Sequence, residues 1–252
     1  MKKIVLSLVT ILFFQLFYSC SNNDDNSITP ILPTQVIETV EYNGNTEIYT
    51  ANITYDGNKM VRQDYGLDIV DLTYTGDLIT KFEYKRNNVV IQRNEYTYDN
   101  NERLINYKRF EFDDIIGDYG TNVNYDYNTD GSVNFTRYSG YLPNLNLSSS
   151  GTITLNQENL VSTIAFSNGD SYAYSYDTKN NPFKNILGVD KIPFEDDEAN
   201  SFFRNYISID KTNSGFSYTT SFIHNYNSND YPGQTIENDG YEIVTTQYIY
   251  NQ

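Results

Sequence analysis

The sequence predicts an all-β protein, a curved antiparallel meander of repeated hairpins forming an open sheet or a partial barrel. Three observations carry this expectation. A short unit, Tyr-x-Tyr or Ile-x-Tyr followed by Asp or Asn, recurs along most of the chain. Strand-forming Tyr and Thr are abundant, with 25 Tyr in 252 residues, whereas the 33 Asn gather in turn-like clusters between apolar runs. The flanking runs alternate with period two, which puts one set of side chains on each face of a strand.

Taken in chain order, the first element precedes the fold. Met1-Lys2-Lys3 is a short positive head, and Ile4 to Phe17 is apolar apart from Ser7, Thr10 and Gln15; Cys20, the only cysteine, follows. A basic head, an apolar run of about 14 residues and small residues at its exit make a secretory signal over residues 1–19, short for a spanning helix. The Ser19-Cys20 junction resembles the lipobox of bacterial lipoproteins, with Phe17 or Tyr18 where that family usually has Leu. The resemblance implies a diacylglycerol on the Cys20 thiol, loss of residues 1–19 and N-acylation of the new terminus. The membrane is then the first expected partner, since two or three acyl chains anchor stably where one does not. A signal anchor with an incidental Cys20 is the competing reading.

Residues 20–36 read as a flexible polar tether containing Pro30 and Pro33. Its pair Asp24-Asp25 is similar to the surface-export signal of Bacteroidota lipoproteins. That similarity implies outer-membrane attachment and tilts the expected location from the periplasmic face toward the cell surface.

Residues 37–252 are expected to form one repeat-built β domain. Its units are ITYDGNKMV (53–61), LTYTGDLIT (72–80), YTYDNNERLI (96–105), YDYNTDGSVN (125–134), ITLNQENLV (153–161), YSYDTKNNPF (174–183) and HNYNSNDYPG (224–233). The anchors before each turn are Tyr55, Tyr74, Tyr98, Tyr127, Leu155, Tyr176 and Tyr226, spaced 19, 24, 29, 28, 21 and 50 residues apart. Such spacing is too irregular for a tight solenoid and suits hairpins with variable outer loops. Within a unit two large side chains share a face, the Asx cluster closes the turn through side-chain-to-backbone hydrogen bonds, and a return strand follows. In the return strand LINYKRFEF, Leu104, Asn106, Lys108 and Phe110 alternate with Ile105, Tyr107, Arg109 and Glu111. Both faces are mixed, so one side of the sheet is expected to be only partly covered.

These hairpins resemble the YD repeats of RHS-type proteins. With the late segments YDTKNNPF, NYNSNDYPGQ and TTQYIYNQ, the chain also looks like a domain-of-unknown-function family of Bacteroidota lipoproteins. The resemblance covers most of the chain after residue 37. It departs from RHS proteins in lacking their strict Gly-rich period and toxin segment and in being too short for their enclosing shell. It implies an open, curved antiparallel sheet and no known activity.

The pattern breaks over residues 183–215. FEDDEANSFFRNY (194–206) opens with acids and brings Phe202, Phe203 and Tyr206 to one side at helical spacing. A short helix or compact insertion packed on the sheet is expected there; an aromatic lid over a pocket is the alternative. Phe183, Phe194, Phe202, Phe203 and Tyr206 are the candidate binding residues.

Composition removes several chemistries. Loss of Lys2 and Lys3 takes the net charge from −16 to −18, which repels nucleic acid. With Cys20 lipidated, no thiol remains for a disulfide, a nucleophile or a thiolate metal site. The single histidine, His224, sits in an alternating strand and reads as a sheet-surface or interface residue. No Gly-x-Ser-x-Gly elbow or phosphate-cradling loop occurs. Carboxylate pairs for glycoside hydrolysis could come from Asp113-Asp114 or from Glu195, Asp196, Asp197 and Glu198, although adjacent acids on a strand face opposite ways. Asp126, Asn128, Asp130 and Ser132, with Gly131 at the bend, match the start of a calcium loop, but Arg137 stands where the bidentate Glu belongs. The same residues also make one more hairpin turn, and that reading is favoured. Calcium is thus the one cofactor the sequence admits.

The sequence therefore points to a non-enzymatic, lipid-anchored binding or scaffold module of the cell envelope. Its Tyr-rich β surface would meet a glycan, a peptide or another envelope protein. A periplasmic carrier of an apolar ligand is the first alternative, and a carboxylate-dependent glycoside hydrolase the second.

Overall fold

The structure, a computed structural model, describes residues 29–252. The expected signal peptide, Cys20 and residues 20–28 of the tether lie outside the described residues, and Pro33 to Val36, expected in the tether, instead begin the first strand.

The first twelve strands are β1 (Pro33–Tyr42), β2 (Asn45–Asp56), β3 (Lys59–Asp64), β4 (Asp68–Thr75), β5 (Leu78–Arg86), β6 (Val89–Tyr98), β7 (Leu104–Glu111), β8 (Tyr119–Tyr127), β9 (Val133–Tyr141), β10 (Asn146–Leu155), β11 (Val161–Phe166) and β12 (Ser171–Tyr176). Two two-residue strands, β13 (Phe194–Glu195) and β14 (Glu198–Ala199), pair only with each other. The last four are β15 (Tyr206–Asn213), β16 (Phe216–Tyr226), β17 (Pro232–Asn238) and β18 (Glu242–Tyr250).

Sixteen of these strands form one closed antiparallel barrel in which each pairs with its neighbour in sequence, β12 pairs with β15, and β18 returns to β1. The open sheet or partial barrel expected from the sequence is thereby corrected. The two free edges meet in a ladder from Gln35↔Ile249 to Tyr42↔Glu242, which leaves no exposed edge to cover. Of the short helix or compact insertion expected near 194–206, the structure has the insertion: residues 177–205 hold only a 3₁₀ turn, Val189–Lys191, and the β13–β14 hairpin.

Most repeat units share one device at the turn. In six of the seven units the pairing register shifts just before the anchor, as between Thr97 and Tyr98 opposite Asn106 and Leu104. The bulge adds a residue to one strand and turns the next side chain inward. The residue paired with the anchor is accordingly buried: Met60, Ile79, Leu104 and Val161 are at most 5% exposed.

The anchors then clasp the barrel. The hydroxyls of Tyr55, Tyr98, Tyr127 and Tyr176 donate to the carbonyls of Pro33, Ile79, Leu104 and Val161, each at the start of the preceding strand. Tyr250 makes the same bond to Pro232 without being one of the repeat anchors. These bonds ring one rim, here the clasped rim, which also carries the Asx turns and both ends of the barrel chain.

The two faces of the wall differ. Successive partners such as Tyr96, Tyr107 and Val123, or Tyr125 and Phe135, point into the lumen and are almost fully buried. Gly151 on β10 makes room for this face: a Cβ there would lie 2.7 Å from the Phe135 ring and 2.3 Å from the Ala165 carbonyl oxygen. Partners one residue along point outward and carry charge on β3 to β7. Arg62 pairs with Asp71 at 2.6 Å, Lys85 with Asp71 at 2.8 Å, Lys81 with Glu83 at 3.0 Å, and Arg93 with Glu95 at 2.9 Å.

Candidate functional site

The β12–β15 insertion, residues 177–205, crosses the mouth of the clasped rim and enters the lumen. It touches one turn after another on the way. Asn185 donates to the Ile31 carbonyl and to the Tyr231 hydroxyl, the Leu187 amide to Asn58, and Lys191 and Arg204 pair with Glu102 and Glu158. Gly188, at φ +83°, passes so close to the wall that a Cβ would lie 2.6 Å from the Asp77 carbonyl oxygen.

Its tip is the acidic β13–β14 hairpin, held deep in the barrel. Arg137 grips Asp196 through two bonds, Nε to Oδ1 at 2.5 Å and a terminal nitrogen to Oδ2 at 3.2 Å, and Arg109 reaches the same carboxylate at 3.5 Å. Tyr125 donates to the Asp196 carbonyl, Tyr206 to the Ala199 carbonyl, and Asn94 to the Glu195 carboxylate. Burial pushes the Glu195 carboxyl up from its ordinary value, against the Tyr96 and Tyr107 hydroxyls and the Asn94 amide, which favour the ionised form. Burial also raises Asp197, and the adjacent charge of Asp196 adds to the shift.

The residues singled out in the pattern break are the apolar body of this plug. Phe194 is fully buried against Tyr125, with ring centroids 4.6 Å apart. Phe183 packs edge-on to Tyr248, Phe202 on Phe203, and Tyr206 on Tyr174, Tyr176 and Phe222. They fix the insertion to the wall and lining; no one surface gathers all five. Phe183, Phe194 and Tyr206 pack with the barrel core, whereas Phe202 and Phe203 line a cavity of about 380 Å³ at the clasped rim beside Leu104, Tyr127 and Leu155.

Above the plug the lumen stays open toward the opposite rim. Its floor is a cavity of about 390 Å³ lined by Tyr107, Arg109 and the plug residues from Glu195 to Asn200. One wall holds a second cavity of about 390 Å³, with Tyr49, Tyr65, Tyr84, Glu38 and Gln63 in its lining together with the charged residues Asp68, Lys85 and Arg86. Burial raises the Tyr84 hydroxyl in this lining, and the Glu195 charge adds to the shift. Glu38 and Glu237 point into this cup from β1 and β17, and burial raises both carboxyls. Sequence reasoning missed the cup, because its residues come from separate repeat units and meet only through closure.

The remaining candidates are occupied elsewhere. His224 has both ring nitrogens engaged, Nδ1 with the Thr235 hydroxyl at 2.9 Å and Nε2 with the Tyr206 carbonyl at 2.7 Å, so neither is left to act as a base. Asp113 caps its own turn through the Ile115 and Ile116 amides. Of the calcium-loop residues, Asp126 is exposed on the outer face of β8. Asp130 accepts from the Ser132 amide and hydroxyl, and Asn128 donates to the Ser132 hydroxyl and accepts from Asn134. The structure thus brings Asn128, Asp130 and Ser132 together as the turn itself.

No protein-family model matches the chain, and no curated protein does. Among solved structures, the fold is similar to that of a porin-like protein of Bacteroides vulgatus ATCC 8482 with a TM-score of 0.58 and 12% identity, covering 88% of this chain and 99% of that one. It is also similar to a porin-like protein of Bacteroides uniformis ATCC 8492, with a TM-score of 0.50 and 11% identity over 88% and 97% of the two chains.

Proposed function

We propose that this protein is a non-enzymatic receptacle of the cell envelope, tethered through a lipid on Cys20 and holding a ligand in the tyrosine-lined cup. One observation carries the reading: the insertion fills the lumen only at the clasped rim and leaves the other half open, aromatic and polar. Sites for small ligands share that character, concave and aromatic with a few converging polar groups.

The outer wall of β3 to β6 argues that this side of the barrel stands in water beside the membrane. Arg62, Lys81, Lys85 and Arg93 face outward, and an Arg or Lys facing lipid costs about 2–4 kcal/mol at the bilayer midplane. The likeness to porin-like proteins is one of architecture, and the chemistry of the two wall faces supports a role other than that of a pore. The described chain begins at the clasped rim, so a tether from Cys20 to Pro33 enters there. Thirteen residues span at most about 45 Å. The cup then opens away from the anchored end.

Two measurements test this. Cys20→Ala is expected to abolish acyl labelling and to release the mature protein from membranes; unchanged retention removes the tether. Native mass spectrometry of the mature protein purified from its own envelope is expected to show a bound species that leaves when Val70→Trp obstructs the cup wall. An empty barrel, with no envelope extract shifting its mass or melting point, defeats the receptacle reading.

A further inference from the structure

We infer that the outer wall of β16, β17, β18, β1 and β2 docks on a lipid surface, so that the barrel lies on its side against the bilayer; the inference rests on the reading of a lipid tether at Cys20. Register defines this wall. Phe222 pairs with Glu237, and Val36 with Tyr248 and Ala51, all facing the lumen. One residue along, an outward row runs Ile223, Ile236, Thr245, Thr39, Ile48 across the five strands. Ile37, Ile243 and Ile249 stand outward on either side of it, and Ile48 and Ile223 are 66% and 64% exposed. Thr, Ser, Asn and Gln fill most of the other outward positions. Among the described residues, the only ionisable side chains on this wall are Glu41 and Asp56, one near each rim. The next strands round the barrel face outward with ion pairs instead, Arg62 with Asp71 and Lys81 with Glu83 among them. An exposed apolar strip without charge marks a surface that meets something other than water.

The chain's own entry point names what it meets. Pro33 starts β1, one of the five strands, and the segment before it is tied to the other end of the chain. Asn251 donates to the Pro30 carbonyl and Gln252 to the Thr29 carbonyl. Nine residues then separate Thr29 from Cys20, a reach of at most about 32 Å. Sixteen strands about 4.8 Å apart and tilted by about 40° make a barrel about 32 Å across. With the β1–β18 seam toward the bilayer the tether is slack, whereas with the seam on the far side it is stretched to its limit. The clasped rim is also within reach, but it offers the carboxylates of Asp77, Glu102, Glu158 and Asp230 where the wall offers isoleucine.

Charge selects the lipid. The mature chain, at −18 once Lys2 and Lys3 are lost, is repelled by an anionic surface and not by zwitterionic headgroups. Isoleucine side chains reach the boundary between headgroups and acyl chains without burying a charge. The contact itself is weak, because the tether supplies a high local concentration. It is therefore lost on washing when the tether is removed. The barrel axis then runs along the membrane, and the cup opens sideways, away from the tether.

Vesicle flotation of the mature chain carrying Cys20→Ala tests the wall without its anchor. Vesicles of phosphatidylethanolamine and phosphatidylcholine should bind it at millimolar lipid, and added phosphatidylglycerol should weaken the binding. Ile48→Thr/Ile223→Thr/Ile249→Thr should reduce binding about tenfold or more. Ile115→Thr/Leu147→Thr, which removes exposed apolar groups from the β7–β8 turn and from β10, should bind like the parent. Both variants should keep the parent's melting temperature, since threonine suits an outward strand position. The sequence holds no tryptophan, so a single Ile48→Trp or Thr97→Trp reports its own wall. Emission should shift to the blue on vesicles for Ile48→Trp alone. Equal shifts at both sites, no shift at either, or equal losses in the two threonine variants would overturn the inference. A dimer that the triple variant dissociates, with no vesicle binding, would give the wall to a second copy and overturn it as well. If the wild-type protein carries acyl label while the Cys20→Ala chain ignores vesicles, the wall falls and the tether stands. An unlabelled Cys20 removes the tether, and vesicle binding then still decides the wall.

Discussion

The two halves of the lumen are built from the same strands, yet they settle their polar groups in opposite ways. At the clasped rim, the hydroxyls of Tyr55, Tyr98, Tyr127 and Tyr176 end on carbonyls one strand away, although that of Tyr74 is unpartnered, and the plug carries its buried acid Asp196 to two arginines. In the cup, Glu38 and Glu237 have no ion-pair partner among the described residues. A barrel of this size cannot fill itself with its own wall side chains. One half is therefore closed by an insertion, and that is where the stability of the interior is expected to concentrate. The other half keeps unsatisfied groups that do nothing for the fold.

The sharpest way to break this contrast is Arg137→Met. It leaves Asp196 buried with only the longer Arg109 contact, and removing one partner of a buried pair costs about 3–5 kcal/mol. Chemical denaturation should show the loss, and hydrogen exchange should place it in residues 177–205 ahead of the strands. Equal deprotection of barrel and plug would contradict the division into halves. A smaller effect is expected from Tyr98→Phe, which orphans the Ile79 carbonyl at a cost of about 1 kcal/mol. Tyr84→Phe, the matched change in the cup, should stay within about 0.5 kcal/mol. If the two substitutions cost the same, the clasp is not what distinguishes the rims.

Much of the wall could be read from residue order alone. Tyr96 and Tyr98 do share a face, Asp99 does close its turn through the Asn101 and Arg103 amides, and Leu104 does begin the return strand. These are local facts, set by period-two alternation and Asx chemistry. Closure is not local: the β1–β18 ladder joins residues more than 190 positions apart, and no turn between them fixes its register. The mixed faces of residues 104–111 were visible but had no visible cause. Their inner face passes from the plug at Leu104 to the polar cup at Arg109 and Glu111, so no single polarity suits it. Likewise the break at 183–215 announced a departure from the hairpins, but not that it would turn inward. The aromatic spacing of Phe202, Phe203 and Tyr206 suggested a helix because side chains packed against several walls can mimic one helical face.

The smallest expected effect is also the one that reads the cup directly. Glu38 has its carboxyl raised by burial and no cation to offset it, so its ionised form opposes folding. The folded state then holds the proton more tightly than the unfolded chain does. Stability from this group falls as pH rises from the ordinary glutamate value through the raised one, the reverse of what a carboxylate in a salt bridge does. Glu38→Gln is neutral at every pH and should raise the melting temperature at pH 7, with the gain shrinking as the pH is lowered toward the ordinary glutamate range. Asp71, held below the usual carboxylate range by its bond to Arg62 on the outer wall, should behave oppositely under Asp71→Asn. That variant should lose stability at pH 7 and regain parity with the parent in acid. A gain for Glu38→Gln that persisted unchanged into acid would mean that the side chain is not paying for buried charge, and the open half would then be no less settled than the plugged one.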